Sequence, residues 1–248
     1  MNCRPGLTLS PCPILSHTFL LSGFLFLLSQ TGDAQDTSFT KAILAYTNSP
    51  GAGSRLYNGT LYPGYDRHPQ GHPFFLTDSL LDGSVRYDAV TYPGIRLSYD
   101  LVKDVVIMPD PRKTLFIQLL PEKIGYFTVR GHRFIYLPSA PNAANAPPPG
   151  FYEELYNGKA TALARHEKTI QAFGKVDENL FQYHQYDHYY LEVNGRFYTV
   201  HNSHSLLDAF GAAKNPVRDF LRKNKISFSS NPEYTLTKAA EFYSRLKN

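Results

Sequence analysis

The stretch "HYYLEVNGRFYTVH", His188 to His201, constrains this chain more than any other part of it. Asn-Gly between two runs of aromatic and β-branched residues is a strong hairpin signal. A two-residue type I′ turn needs positive φ at both central positions, which Asn tolerates and Gly adopts freely. Closing the turn at Asn194-Gly195 pairs Val193 with Arg196, Leu191 with Tyr198 and Tyr189 with Val200. One face then carries Tyr189, Leu191, Val193, Tyr198 and Val200; the other carries His188, Tyr190, Glu192, Phe197, Thr199 and His201. Such sidedness is that of a half-buried antiparallel pair.

The same alternation runs through the middle of the chain. "GSVRYDAVTY" sets Val85, Tyr87 and Ala89 against Ser84, Arg86 and Asp88, and "GIRLSYDLV" sets Ile95, Leu97, Tyr99 and Leu101 against Arg96, Ser98 and Asp100. "DVVIMPD" and "TLFIQLL" are continuous apolar runs suited to strands covered on both faces. "YFTVRGHRFIYLP" predicts a hairpin turning at Gly131-His132, and Asn157-Gly158 predicts another that pairs Tyr156 with Lys159, Glu154 with Thr161 and Tyr152 with Leu163. Tyr62-Pro63-Gly64 and Tyr92-Pro93-Gly94 read as type II turns. "LYNG" occurs at Leu56 and again at Leu155, with no fixed period, so it is turn chemistry and not a structural repeat.

Two regions leave the pattern. "SAPNAANAPPPG", Ser139 to Gly150, has nothing to bury and reads as an exposed, mobile loop. Beyond about residue 204 the period changes to three-four: Asn215-Pro216 and Asn231-Pro232 each place an N-cap before a first-turn proline. The apolar stripes that follow are Val217, Phe220 and Leu221, then Leu236, Ala239, Ala240, Tyr243 and Leu246. A short helix from Ser38 to about Tyr46 is also expected. The fold class that results is α+β, mainly β: an antiparallel β-meander, sandwich or open barrel, with C-terminal α-helices packed on it, forming one domain over 35–248.

The first 34 residues carry Arg4, an apolar run from Ile14 to Leu28 and small residues at Gly32 and Ala34, which is the layout of a secretory signal peptide cleaved after Ala34. The expected product is periplasmic or extracellular and, with its leader gone, not an integral membrane protein. Cys3 and Cys12 both leave with the leader, which excludes disulfides, thiolate metal sites and a cysteine nucleophile. The net charge is +4 without a dense basic cluster, so nucleic acid is not an expected partner.

Little else looks like chemistry. In the hairpin register His188 falls opposite His201, with His184 and Glu192 on the same face, a candidate site for a divalent metal. No "GxSxG", "HExxH" or "GxxxxGK" occurs. Glu153 and Glu154 are neighbours on a strand and point to opposite faces, so they read as surface ion-pair partners and not as a hydrolase pair. The tyrosines all lie after the leader, where exposed rings could contact a sugar or a protein.

Several stretches taken together, "LYNGTLYPGY", "GHPFF", "GSVRYDAVTYPGIRLSYDLVKDVVI", "GFYEELYNGKATALARHEK" and "VRDFLRKNKISF", resemble a family of uncharacterised exported proteins of Bacteroidota. The resemblance covers most of the chain after the leader and implies a Gram-negative envelope setting. It brings no activity, cofactor or catalytic residue. The expectation is a non-catalytic protein that binds another protein or a glycan; the alternative is a hydrolase or metal-dependent enzyme acting on envelope material.

Overall fold

A computed structural model describes residues 53–140, 145–174 and 180–246. The Asn194-Gly195 turn has φ of 52° and 72°, and the strands it joins pair as their alternation predicts: Val193 with Arg196, Leu191 with Tyr198, Tyr189 with Val200. Around this hairpin the chain forms an antiparallel sheet. Its strands are β1 (Thr60–Leu61), β2 (Leu81–Tyr87), β3 (Val90–Asp100), β4 (Val105–Pro109), β5 (Phe116–Gln118), β6 (Ile124–Val129), β7 (His132–Leu137), β8 (Gly150–Tyr156), β9 (Ala160–Phe173), β10 (Leu180–Val193) and β11 (Arg196–Val200). The order across the sheet is β1-β5-β4-β3-β2-β6-β7-β8-β9-β10-β11. It is a meander with two departures, the β2–β6 and β1–β5 pairings.

The helices are α1 (Gly53–Leu56), α2 (Ser203–Asp208), α3 (Lys214–Lys223) and α4 (Pro232–Arg245). Asn202 and Asn231 cap α2 and α4 by accepting backbone N–H bonds in the first turn. The expected fold class is the one formed, an open antiparallel sheet with C-terminal helices packed on it. Among the described residues no helix is long and apolar enough to cross a membrane.

One face of the sheet carries two cores side by side. Over β2, β3, β6, β7 and β8 it is aromatic, with Phe127 stacked on Phe134 at 4.8 Å and Tyr99 and Phe151 set edge-on to Phe127. Over β9, β10 and β11 it is made of small and aliphatic residues, Ala160, Ala162, Leu191, Val193 and Val200, on which α2, α3 and α4 lay Leu206, Val217, Leu221, Leu236, Ala239 and Ala240. Alanines on both β9 and α4 let helix and sheet approach closely. On the opposite face Tyr152, Leu163 and Tyr190 form a third, smaller cluster.

A strap, residues 62–75, crosses between distant strands. It bridges β10 through Gln70 and Gln182, and β3 through Phe74 and Asp100. Close by, the Lys168 N–H of β9 donates to the Leu101 carbonyl just past β3, at 3.0 Å. The sheet is therefore curled enough to bring β3 and β9 together.

Several local expectations are corrected. Neither Asn157 nor Gly158 has positive φ, and β8 pairs with β9 through a bulge, Glu154 opposite Leu163 and Tyr156 opposite Ala162. Gly158 serves close packing instead: a Cβ there would lie 2.7 Å from Ser244 Oγ on α4. Tyr92-Pro93-Gly94 is not a turn between strands. Gly94, φ 65°, is the extra residue of a bulge within β3, and the β2–β3 turn falls at Asp88-Ala89, both with positive φ. The β6–β7 turn is at Arg130-Gly131, one residue earlier than expected. Asn215 lies inside α3, whose cap position is Ala213 after a 3₁₀ turn. The last residues of the 139–150 loop are fastened, since Arg165 donates to the Pro149 carbonyl at 3.0 Å and the Tyr152 hydroxyl to that of Pro148 at 2.6 Å. The leader and the helix expected near residues 38–46 lie outside the described residues.

Gly83 and Gly195 should respond unequally to alanine. At Gly83 a Cβ would overlap the Thr128 carbonyl oxygen of the paired strand, whereas at Gly195 it meets open space and only the left-handed backbone opposes it. Thermal unfolding of both variants is expected to show a loss of about 1–2 kcal/mol for Gly195→Ala and a larger loss for Gly83→Ala, which must move backbone.

Candidate functional site

The chemistry-bearing residues gather at the seam between the two cores. Phe134 on β7, Glu153 on β8, Ala164 on β9 and Tyr189 on β10 are consecutive register partners, which places their neighbours His132, His166 and Asp187 on one face. His166 stands opposite Asp187, and its Nδ1 lies 2.6 Å from Asp187 Oδ1. Its Nε2 lies 2.9 Å from Glu153 Oε2, while the other oxygen of Glu153 is 2.7 Å from His132 Nδ1. Gln185 donates to the same Asp187 oxygen at 3.0 Å.

A ring whose two nitrogens both face carboxylates donates from both, so His166 is an imidazolium. Burial opposes its charge, but hydrogen bonds and the fields of Asp187 and Glu153 outweigh that and raise its pKa from 6.5 to about 9. Burial likewise acts to raise Glu153 and Asp187, and the histidine bonds reverse it, leaving both carboxyls below their ordinary range. The ring is shut away: its side chain is 4% exposed and that of Glu153 8%, against 34% for Asp187. Phe75, delivered by the strap, covers both imidazoles at 5.3 Å from His166 and 5.1 Å from His132. Glu233, in the first turn of α4, feels the fields of all four groups, and burial raises its pKa.

A second network lies around Arg165, the neighbour of His166 on β9. Arg165 bonds Glu167 at 2.6 Å and lies 3.7 Å from Asp104, which accepts the Tyr99 hydroxyl at 2.6 Å and is approached by the Phe151 N–H at 3.3 Å. Burial raises the Asp104 carboxyl despite the lowering action of Tyr99 and Arg165. The cleft here, lined by Leu101, Val102, Asp104 and residues 165–169, holds about 210 Å³.

The residues singled out as metal ligands do not converge. His184, His188 and Glu192 share a face of β10, but positions four apart on a strand are separated by about 13 Å, far beyond what one ion spans. The β10–β11 pairing ends at Tyr189–Val200, and His201 turns away into the α2 cap, its N–H donating to Ser205 Oγ. His188 lies 3.4 Å from Glu167, and His184 lies against Gln182. Among the described residues no group of three or more His, Cys, Asp or Glu is disposed to hold a metal ion.

Glu153 is the larger correction. Its neighbour Glu154 is indeed an ion-pair partner, of Arg133, but Glu153 is buried in the seam. The available signal was positional: on β8 it has the inward parity of Phe151, and only a buried partner makes that tolerable for a carboxylate. Compared with family models, curated proteins and solved structures, the chain finds no match.

Linkage sets the sign of the pH response. The contribution of His166 is full below 6.5 and lost as pH rises through about 9; those of Glu153 and Asp187 are full above the ordinary carboxylate range and lost as pH falls through their lowered values. Removing the imidazolium takes the donor from Glu153 Oε2 and leaves the carboxylate only its His132 contact. Because Asp187 stays partly solvated, His166→Gln is expected to cost about 3 kcal/mol, the low end for a broken buried pair. Melting temperatures of both proteins should differ most at pH 6–7 and draw together above pH 9; a constant gap would remove the charge from the account.

Proposed function

We propose that this is an exported, non-catalytic protein of a Gram-negative envelope that binds a glycan on the outer face of the β9–β10 arm. The observation that carries this reading is the full engagement of the two most deeply buried members of the seam, His166 and Glu153. Both nitrogens of His166 and both oxygens of Glu153 are engaged by partners within the protein. A general acid or base must keep an atom free for the proton it moves. Among the described residues, no serine or threonine hydroxyl is bonded to a histidine ring in the seam. The Arg165 cleft is smaller than the roughly 300 Å³ at which ligand pockets begin.

The arm offers what the seam lacks. Beyond Ala164, β9 has no β8 partner, and the two strands run on as a pair to Phe173 and Leu180. Their outer face presents Tyr186, 43% exposed, with its hydroxyl held by Gln171 at 2.6 Å, beside Gln182, His184 and Thr169. A fixed aromatic ring among amide, hydroxyl and imidazole groups suits a sugar, which stacks its C–H face on the ring and exchanges hydrogen bonds at its rim. The leader's basic residue, apolar run and small residues Gly32 and Ala34 support export.

Two measurements test the reading. Chain recovered from the envelope fraction should lack residues 1–34 by intact mass. Titration with envelope-derived oligosaccharides should show saturable binding without turnover, weakened about tenfold by Tyr186→Ala; cleavage of the sugar, or binding indifferent to Tyr186, would overturn it.

A further inference from the structure

The start of the strap encloses a positive charge. Tyr62 and Tyr65 flank Pro63-Gly64, where Gly64 takes φ of 69° and folds the two rings toward one another. The Tyr62 hydroxyl donates to Asp100 Oδ2 at 2.7 Å, and that of Tyr65 reaches both oxygens of the same carboxylate at 2.7 and 2.8 Å. Asp100 is fully buried and also accepts the N–H groups of Val102 and Lys103, at 2.8 and 3.1 Å. Burial, with Asp100 adding to it, holds both phenols far above their ordinary range, so they remain neutral donors. Tyr183 of β10 backs Tyr65 edge-on at 6.0 Å.

Between the rings sits the Lys103 ammonium, 4.4 Å from the centroid of Tyr65 and 4.8 Å from that of Tyr62, donating to the Gly64 carbonyl. Among the described residues no carboxylate pairs with it directly. Two π faces, a carbonyl and a buried anion behind the rings are the elements of a cation cage. A phenol that donates to a carboxylate also gains electron density, which strengthens its attraction for a cation.

We propose that Tyr62, Tyr65 and the Gly64 carbonyl form a binding site for a small methylated ammonium ion of the choline class, which Lys103 occupies when no such ion competes. The dimensions also admit a methylated nitrogen. A methyl carbon lies about 1.5 Å from its nitrogen and rests against ring carbons at about 3.5–4.0 Å, which fits nitrogen-to-centroid distances of 4.4–4.8 Å. The energetics point the same way. A primary ammonium is strongly hydrated and its stem loses rotamer freedom in the cage, whereas a quaternary ion gives up little hydration and brings no stem. Lys103 is tethered at its Cα and held by one hydrogen bond and two ring contacts, so it can swing out without breaking an ion pair.

This site is separate from the outer face of the arm and does not rest on the glycan reading. Calorimetric titration of Lys103→Ala with choline should give saturable binding at least tenfold tighter than in the unaltered protein. The neutral carbon isostere 3,3-dimethylbutanol should not bind, and adding Tyr65→Leu should abolish the choline response. An unaltered-protein experiment needs no variant to fold: ring-proton resonances of Tyr62 and Tyr65 should shift with choline and not with the isostere. Equal responses to the two compounds, or none to choline in a Lys103→Ala protein that melts as the parent does, would make Lys103 a clamp for the strap and overturn the proposal.

Discussion

A buried positive charge between two negative ones, on three adjacent strands, is the interaction on which the rest of this protein depends. Glu153, His166 and Asp187 come from β8, β9 and β10 and meet where the aromatic core gives way to the helix-covered one. Each is costly to bury alone and tolerable only in company. Because register decides which side chains face each other, the triad acts as a registry device. A one-residue slip of β9 would send His166 to the opposite face and leave Glu153 with His132 alone.

The strap covers this seam, and the first turn of the final helix adds the field of Glu233 to it. Phe75 covers the two imidazoles, and its backbone N–H is held by the Tyr99 carbonyl at 2.8 Å. The strap itself is secured at both ends of its course, by Tyr62 and Tyr65 on Asp100 and by the Lys168 ammonium on the carbonyls of His72 and Phe74 at 3.0 and 2.8 Å. Thus the polar residues of the inner side maintain shape, while the arm that runs past β8 keeps polar and aromatic groups in water. That division is the physical basis on which glycan binding by the arm is proposed.

Much of the fold was legible because local rules coincide with the tertiary result. Asn194-Gly195 adopts the turn its chemistry favours, and the five residues placed inward around it pack under the helices or at their margin. Asn231-Pro232 starts a helix for equally local reasons. The same dipeptide misled at Asn157-Gly158, where contact with α4, some ninety positions later, overrides the turn preference. His188 and His201 misled because the strand pairing stops one residue short, as Asn202 caps α2.

What the amino-acid order determined by itself was sidedness, strand punctuation and the change of period that begins the helices, since these depend on neighbours within a few residues. What only the tertiary structure decided was which acids and bases are enclosed. Glu153 and Glu154 are the same residue type side by side, yet one joins a buried imidazolium and the other a half-exposed arginine. The difference comes from strands and a strap that sequence separates widely and curvature brings together, and only that enclosure removes the water that would otherwise make the two alike.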